Sequence, residues 1–118
     1  MEAAARGASA GGGTSLGILP GSSRAEGNRY LTFSLPTGMG EMRNALIVRS
    51  ADALIAVAGE FGTLAEIAFA LKTGVPVVGL GTWELSKAGQ EVRDPIIRVG
   101  TPAEAVSEAL RLAAERYL

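Results

Sequence analysis

Apolar positions recur along this chain with two periods, and together they predict alternating strands and helices. Residues 53–57 form a short apolar run rich in branched side chains, bounded by a glycine turn, which reads as a buried strand. Leu64, Ile67, Ala68 and Leu71 follow at helical spacing, so a helix starts at once. Gly74 and Pro76 stop that helix, and residues 75–80 give the next strand. Upstream, the alanine-rich residues 1–10, with Glu2 and Arg6 one turn apart, read as the end of a helix stopped by Gly11-Gly12-Gly13. A strand over 15–19 closes on Pro20-Gly21, a polar loop covers 22–30, and 31–35 is a strand that Pro36 assigns to an edge. The next helix is predicted over 38–50, with Met39, Met42, Leu46 and Arg49 on one stripe and Arg43, Ile47 and Ser50 beside it.

Downstream of 81–85 the chain is polar and irregular to residue 94, and 95–99 is the last strand. Thr101-Pro102-Ala103-Glu104 is a capping box with proline at the first helical position. In the helix it opens, Val106, Ala109, Leu110, Ala113 and Tyr117 are assigned to the core, and Glu104, Glu108, Arg111 and Glu115 to water.

This alternation implies an α/β fold with a parallel sheet, a single three-layer Rossmann-like domain over residues 1–118. Ligands of such sheets lie beyond the carboxyl ends of the strands. Three turns are expected to converge there, at residues 20–23, 58–63 and 81–85.

Composition narrows the chemistry. The 118 residues contain no cysteine and no histidine, which removes thiolate nucleophiles, cysteine-ligated metals and every histidine-dependent triad. Catalysis would have to use carboxylates, Arg, Lys, Tyr or hydroxyls. The formal net charge of −1 makes no electrostatic case for nucleic acid or an acidic membrane. No apolar run approaches the roughly 20 residues of a membrane span, and no metal site is expected. A cytoplasmic location is the expectation.

The strand–glycine-turn–helix segment of residues 52–73 carries the functional signal. Unpaired N–H groups and the positive end of the dipole at a helix start suit an anion, and Gly59 and Gly62 let a ligand approach the backbone. The glycine spacing matches neither a Walker A loop nor the dinucleotide fingerprint. Each residue also has a plain structural reading. Thr63 and Glu66 form a Thr-x-x-Glu capping box, yet Glu66 is also the only acid between Leu64 and Leu71 and is available for acid–base work. Arg43 is an ordinary surface arginine or a bidentate partner for phosphate or for Glu66. Trp83 is a lid on the sheet, an oligomer contact or a stacking platform, and Ser22 and Ser23 are most simply turn formers, with Ser22 also a ligand-binding candidate.

Arg43-Asn44, Asp52 and Gly59-Glu60-Phe61-Gly62-Thr63-Leu64-Ala65-Glu66 together resemble the lonely-guy (LOG) superfamily, whose hallmark is Pro-Gly-Gly-x-Gly-Thr-x-x-Glu after a strand. Within it the chain is most similar to the Rossmann-like branch that contains molybdenum cofactor carriers. The resemblance implies phosphate contacts from Gly59, Gly62 and Thr63, and a catalytic pair falling on Arg43 and Glu66. The full set of ligand-binding candidates is Gly21, Ser22, Arg43, Asn44, Gly59, Gly62, Thr63 and Trp83. Ala58 stands where LOG enzymes have proline, Glu60 where they have a second glycine, and Asn44 where they have lysine. Relatives also begin with a further strand, helix and strand, so an N-terminally truncated form of the fold is expected.

The first expectation is therefore binding of a phosphorylated nucleotide-like or pterin-like ligand, with the molybdenum cofactor or a nucleoside monophosphate as candidates. The second is a phosphoribohydrolase that splits the N-glycosidic bond of a nucleoside 5′-monophosphate. A third is an assembly module, because the apolar helix over 64–71 suits a homodimer or homotetramer contact.

Overall fold

The computed structural model describes residues 1–89 and 94–116. Its contacts divide the chain into two compact units, Met1–Leu46 and Ile47–Leu118.

In the first unit, helix α1 (Glu2–Ala10) is followed by strands β1 (Leu16–Leu19) and β2 (Phe33–Pro36), which pair in parallel with Leu16 opposite Phe33 and Leu19 opposite Pro36. Pro36 ends its strand, where a missing N–H costs the ladder nothing. Between the strands, Ser23 Oγ accepts from the Ala25 N–H and opens a 3-10 turn over Arg24–Glu26. The helix predicted over 38–50 begins as a 3-10 turn, Gly40–Arg43, and becomes helix α2 only at Asn44–Ser50. Gly38 and Gly40 both have positive φ, which keeps a regular helix from starting earlier. The tighter turn also shifts the phase of the side chains. Met39 and Met42 are therefore exposed, and Val48 is the buried residue, in place of the expected stripe.

The second unit holds strands β3 (Leu54–Val57), β4 (Val77–Leu80) and β5 (Ile97–Arg98), all parallel in the order β3-β4-β5. Helix α3 (Phe61–Thr73) links β3 to β4, and helix α4 (Pro102–Glu115) follows β5. Gly74, at φ +82°, ends α3 in the left-handed conformation that glycine adopts without strain. Ile67 and Ala70 of α3 pack with Val48, Ala56, Val75, Val77 and Ile96 into one core, against which Leu54 also lies. Val77 and its neighbour Val78 point to opposite faces of the sheet, and both are buried. α3 covers the Val77 face, and α4, which touches β4 and β3, covers the other. Each fully buried aliphatic side chain here contributes about 1.5–3 kcal/mol.

Asp94 fastens the long return from β4 to β5. Its carboxylate accepts from the Leu85 and Ile96 N–H groups, each at 3.0 Å, and pairs with Arg98. The partial burial of the carboxylate opposes ionisation, but the two N–H groups and the guanidinium outweigh it and hold its pKa below the ordinary value.

Two sequence expectations are corrected in the helices. α3 starts at Phe61, so Thr63 sits inside the first turn and the Thr63–Glu66 pair is not a capping box. In α4 the buried residue is Ala105, while Val106 and Leu110 are exposed. Tyr117, also assigned to that core, lies outside the described residues.

Candidate functional site

The glycine turn leaves β3 through backbone that only a few residues accept. Ala58 has φ +48° and Gly59 φ +99°. Holding alanine in the left-handed region costs about 1–2 kcal/mol, and the surrounding bonds hold it there. The Ala58 N–H donates to the Leu80 carbonyl at 3.0 Å, and the Thr82 hydroxyl donates to the Ala58 carbonyl at 2.6 Å. A proline ring fixes φ near −65° and cannot take this conformation. The departure at Ala58 from the LOG proline thus matches the backbone of this chain. At Gly59 a Cβ would stand 2.3–2.6 Å from the Thr63 side chain, so a residue with a side chain is excluded by contact as well as by φ.

Helix α3 then opens without a side-chain cap. Glu60 is its N-cap and makes no side-chain capping bond. The first N–H inside the ladder is that of Leu64, bonded to the Glu60 carbonyl at 3.1 Å. Among the described residues, no acceptor lies on the N–H groups of Phe61, Gly62 or Thr63. Phe61 and Gly62 are exposed and Thr63 is half-buried. A Cβ on Gly62 would meet nothing within 4 Å, so protein packing does not explain the glycine. Its bare backbone leaves three N–H groups and the positive end of the α3 dipole open to an approaching anion.

The 81–85 segment braces this turn from the next strand. The Trp83 indole Nε1–H donates to the Glu60 carbonyl at 3.1 Å, and its ring meets that of Phe61 with centroids 5.6 Å apart. Trp83 also packs against the core. Two of the three turns expected to converge are thus joined by Thr82–Ala58 and Trp83–Glu60 bonds. Thr82 was not among the sequence candidates, and the only hint of it is a hydroxyl one residue past the strand-ending Gly81. Glu66 lies one turn beyond Thr63 on α3 and is half-buried.

The remaining candidates belong to the first unit. The Pro20 and Gly21 carbonyls accept from the Gly40 and Gly38 N–H groups at 2.9 and 2.8 Å, which ties the 20–23 turn to the segment leading to α2. Gly21 is half-buried and Ser22 is exposed. Asn44 opens α2 and is half-buried. Arg43, at the end of the 3-10 turn, donates through Nη1 to the Ile18 carbonyl at 2.8 Å. Its Nε is buried and, among the described residues, has no hydrogen-bond partner, an uncommon condition for a guanidinium donor. Among the described residues, no group of acids is placed to hold a metal ion. No helix among them is long and apolar enough to cross a membrane.

A chain from Archaeoglobus fulgidus described as an uncharacterized protein is 46% identical over 80 residues, which are 68% of this chain and 52% of that one. The chain thus spans about half the length of the curated relative it matches. The structure of the molybdenum cofactor binding protein from the phototrophic bacterium Rippkaea orientalis superposes with a TM-score of 0.80 at 32% identity, over 94% of this chain and 69% of that one. The X-ray structure of TM1055 superposes with a TM-score of 0.77, also at 32% identity, over 91% of this chain and 69% of that one. The fold is accordingly Rossmann-like α/β. The family model of the SLOG cluster4 family matches residues 1–106, and with the glycine turn, the open start of α3 and these relatives, the chain belongs to that family.

Proposed function

We propose that this chain is a single Rossmann-like domain that binds a small phosphorylated ligand, nucleotide-like or pterin-like, on the N–H groups of Phe61, Gly62 and Thr63. The observation that carries the reading is the uncapped first turn of α3, behind a Gly59 whose conformation and contacts admit no side chain. The molybdenum cofactor binding protein of Rippkaea orientalis, similar over most of this chain, makes a phosphorylated pterin the first ligand to try. Glu60 is exposed and leaves the first turn uncapped, so its carboxylate has room to turn away from a phosphate. Titration calorimetry with molybdopterin, AMP and inorganic phosphate tests the reading. Heat with at least one of the first two, lost in Gly59→Val, is expected; no heat with any of them refutes it.

A second reading, hydrolysis of a nucleoside 5′-monophosphate, is favoured by one observation, the buried and unpaired Arg43 Nε. A donor of this kind is completed by an anionic group, and Arg43 is the position to which the LOG resemblance assigns the catalytic arginine. Release of adenine from AMP, lost in both Arg43→Ala and Glu66→Gln, is the expected result if the chain turns over. AMP that binds and stays intact leaves the binding reading alone.

A further inference from the structure

The first residue of α3 carries an aromatic ring that the packing of the helix does not use. Ile67 and Ala70 are the buried residues of α3. Phe61 lies on another flank, in phase with Ala65, Ala68 and Lys72, all of them exposed. Phe61 itself is 76% exposed. Single apolar residues at a surface are common and require no explanation by themselves. What sets Phe61 apart is how its ring is held.

The ring meets that of Trp83 with centroids 5.6 Å apart and planes inclined by 32°, a separation within the range that aromatic pairs prefer. Trp83 is fixed in two ways, by the bond from its indole N–H to the Glu60 carbonyl and by packing against the core. The same Glu60 carbonyl accepts from the Leu64 N–H, so the tryptophan is anchored on the N-cap residue of α3. Trp83 therefore braces the Phe61 ring from one side, and the exposure of Phe61 leaves the rest of the ring bare. A ring ordered in advance loses little side-chain entropy when another molecule settles on it.

We infer that Phe61 is the stacking surface for a flat heterocycle, so that the site selects phosphate monoesters bearing an aromatic ring over sugar phosphates of equal charge. The inference rests on the proposed anion site at the Phe61, Gly62 and Thr63 N–H groups and adds the element that reads the rest of the ligand. Phe61 supplies both an N–H to that site and the ring, so a molecule held there by its phosphate has the ring within reach. Gly62, next in the chain, adds no side chain beside it, and a Cβ there would meet nothing within 4 Å. A sugar phosphate has no flat apolar face and leaves the ring wet. A heterocycle covers it, and stacking of this kind changes affinity by about tenfold.

Trp83 is the single tryptophan of the chain, so its emission reports on the neighbouring ring. AMP and ribose 5-phosphate carry the same phosphate group and are the probes, titrated into the full chain and followed by Trp83 emission and by calorimetry. AMP is expected to bind about tenfold more tightly and alone to shift the emission. Phe61→Leu, which keeps an apolar side chain, is expected to weaken AMP about tenfold and leave ribose 5-phosphate unchanged. Phe61→Tyr, which keeps the ring, is expected to retain the preference. Equal affinities in the unaltered chain overturn the inference and leave the anion site standing, as does a preference that Phe61→Leu does not alter. Self-association lost in Phe61→Leu while the AMP preference persists also overturns it, and assigns the ring to a contact between copies. Binding of neither probe overturns it too, and calorimetry with molybdopterin then decides the proposed function separately.

Discussion

Helices α3 and α4 both start at the carboxyl edge of the same parallel sheet, and their first turns are built in opposite ways. At α4 the Thr101 hydroxyl accepts from the Glu104 N–H at 3.2 Å, Pro102 has no N–H to satisfy, and the Glu104 carboxylate accepts from the Gly100 N–H. At α3 the N-cap side chain makes no bond, no acid lies in the first turn, and two glycines flank Phe61 at close range. A capping bond stabilises a helix by about 1 kcal/mol. The chain uses it where the helix end has only a structural task and omits it at the end that follows a strained Ala58–Gly59 turn. Strain and unpaired donors at the same place are what a ligand site requires of a fold that is otherwise well satisfied.

Substitutions that separate stability from binding test this contrast most sharply. The largest expected effect is that of Ile67→Ala, which empties a fully buried position under α3 and should cost about 2–5 kcal/mol in urea unfolding. Gly59→Val comes next. Its φ of +99° and the contact with Thr63 predict a loss of about 2–3 kcal/mol, together with loss of ligand heat even at temperatures where the variant is fully folded. The two threonines in these first turns give a paired comparison. Thr101→Ala should lower stability by about 1 kcal/mol and leave ligand affinity unchanged, whereas Thr63→Ala should lower affinity and cost less stability. Equal stability losses from the two would mean that Thr63 caps its helix after all.

The smallest effect concerns acid. Asp94 has a lowered pKa in the folded chain, so its stabilisation is fully present above the ordinary carboxylate value and is lost as pH falls through the lowered one. Thermal unfolding should therefore show a loss of stability setting in below about pH 4. Asp94→Asn should reduce that acid-dependent loss and cost about 1 kcal/mol at neutral pH.

The parallel α/β plan was legible because hydrophobic period and glycine–proline punctuation agree, as at residues 53–80, where every predicted element exists. Boundaries were read less well where conformation departs from the ideal. Gly38 and Gly40 in positive φ turned an expected helix start into a 3-10 turn, and α3 began two residues ahead of the apparent Thr63 cap. The Val106 and Leu110 assignment failed for a different reason. An apolar stripe shows which flank of a helix is hydrophobic, not whether the neighbouring sheet is wide enough to cover it.

The order of residues by itself determined the class of fold, the exclusion of thiol and imidazole chemistry, and the glycine turn ahead of an apolar helix. Each of these depends on local periodicity or on composition, which a linear chain displays in full. Tertiary structure decided that Thr82 and Trp83 hold the turn, that Ala58 takes a conformation closed to proline, and that the Arg43 Nε is buried without a partner among the described residues. Those features arise where segments distant in sequence meet, or fail to meet, and only the folded backbone fixes which hydrogen-bonding groups are left for another molecule.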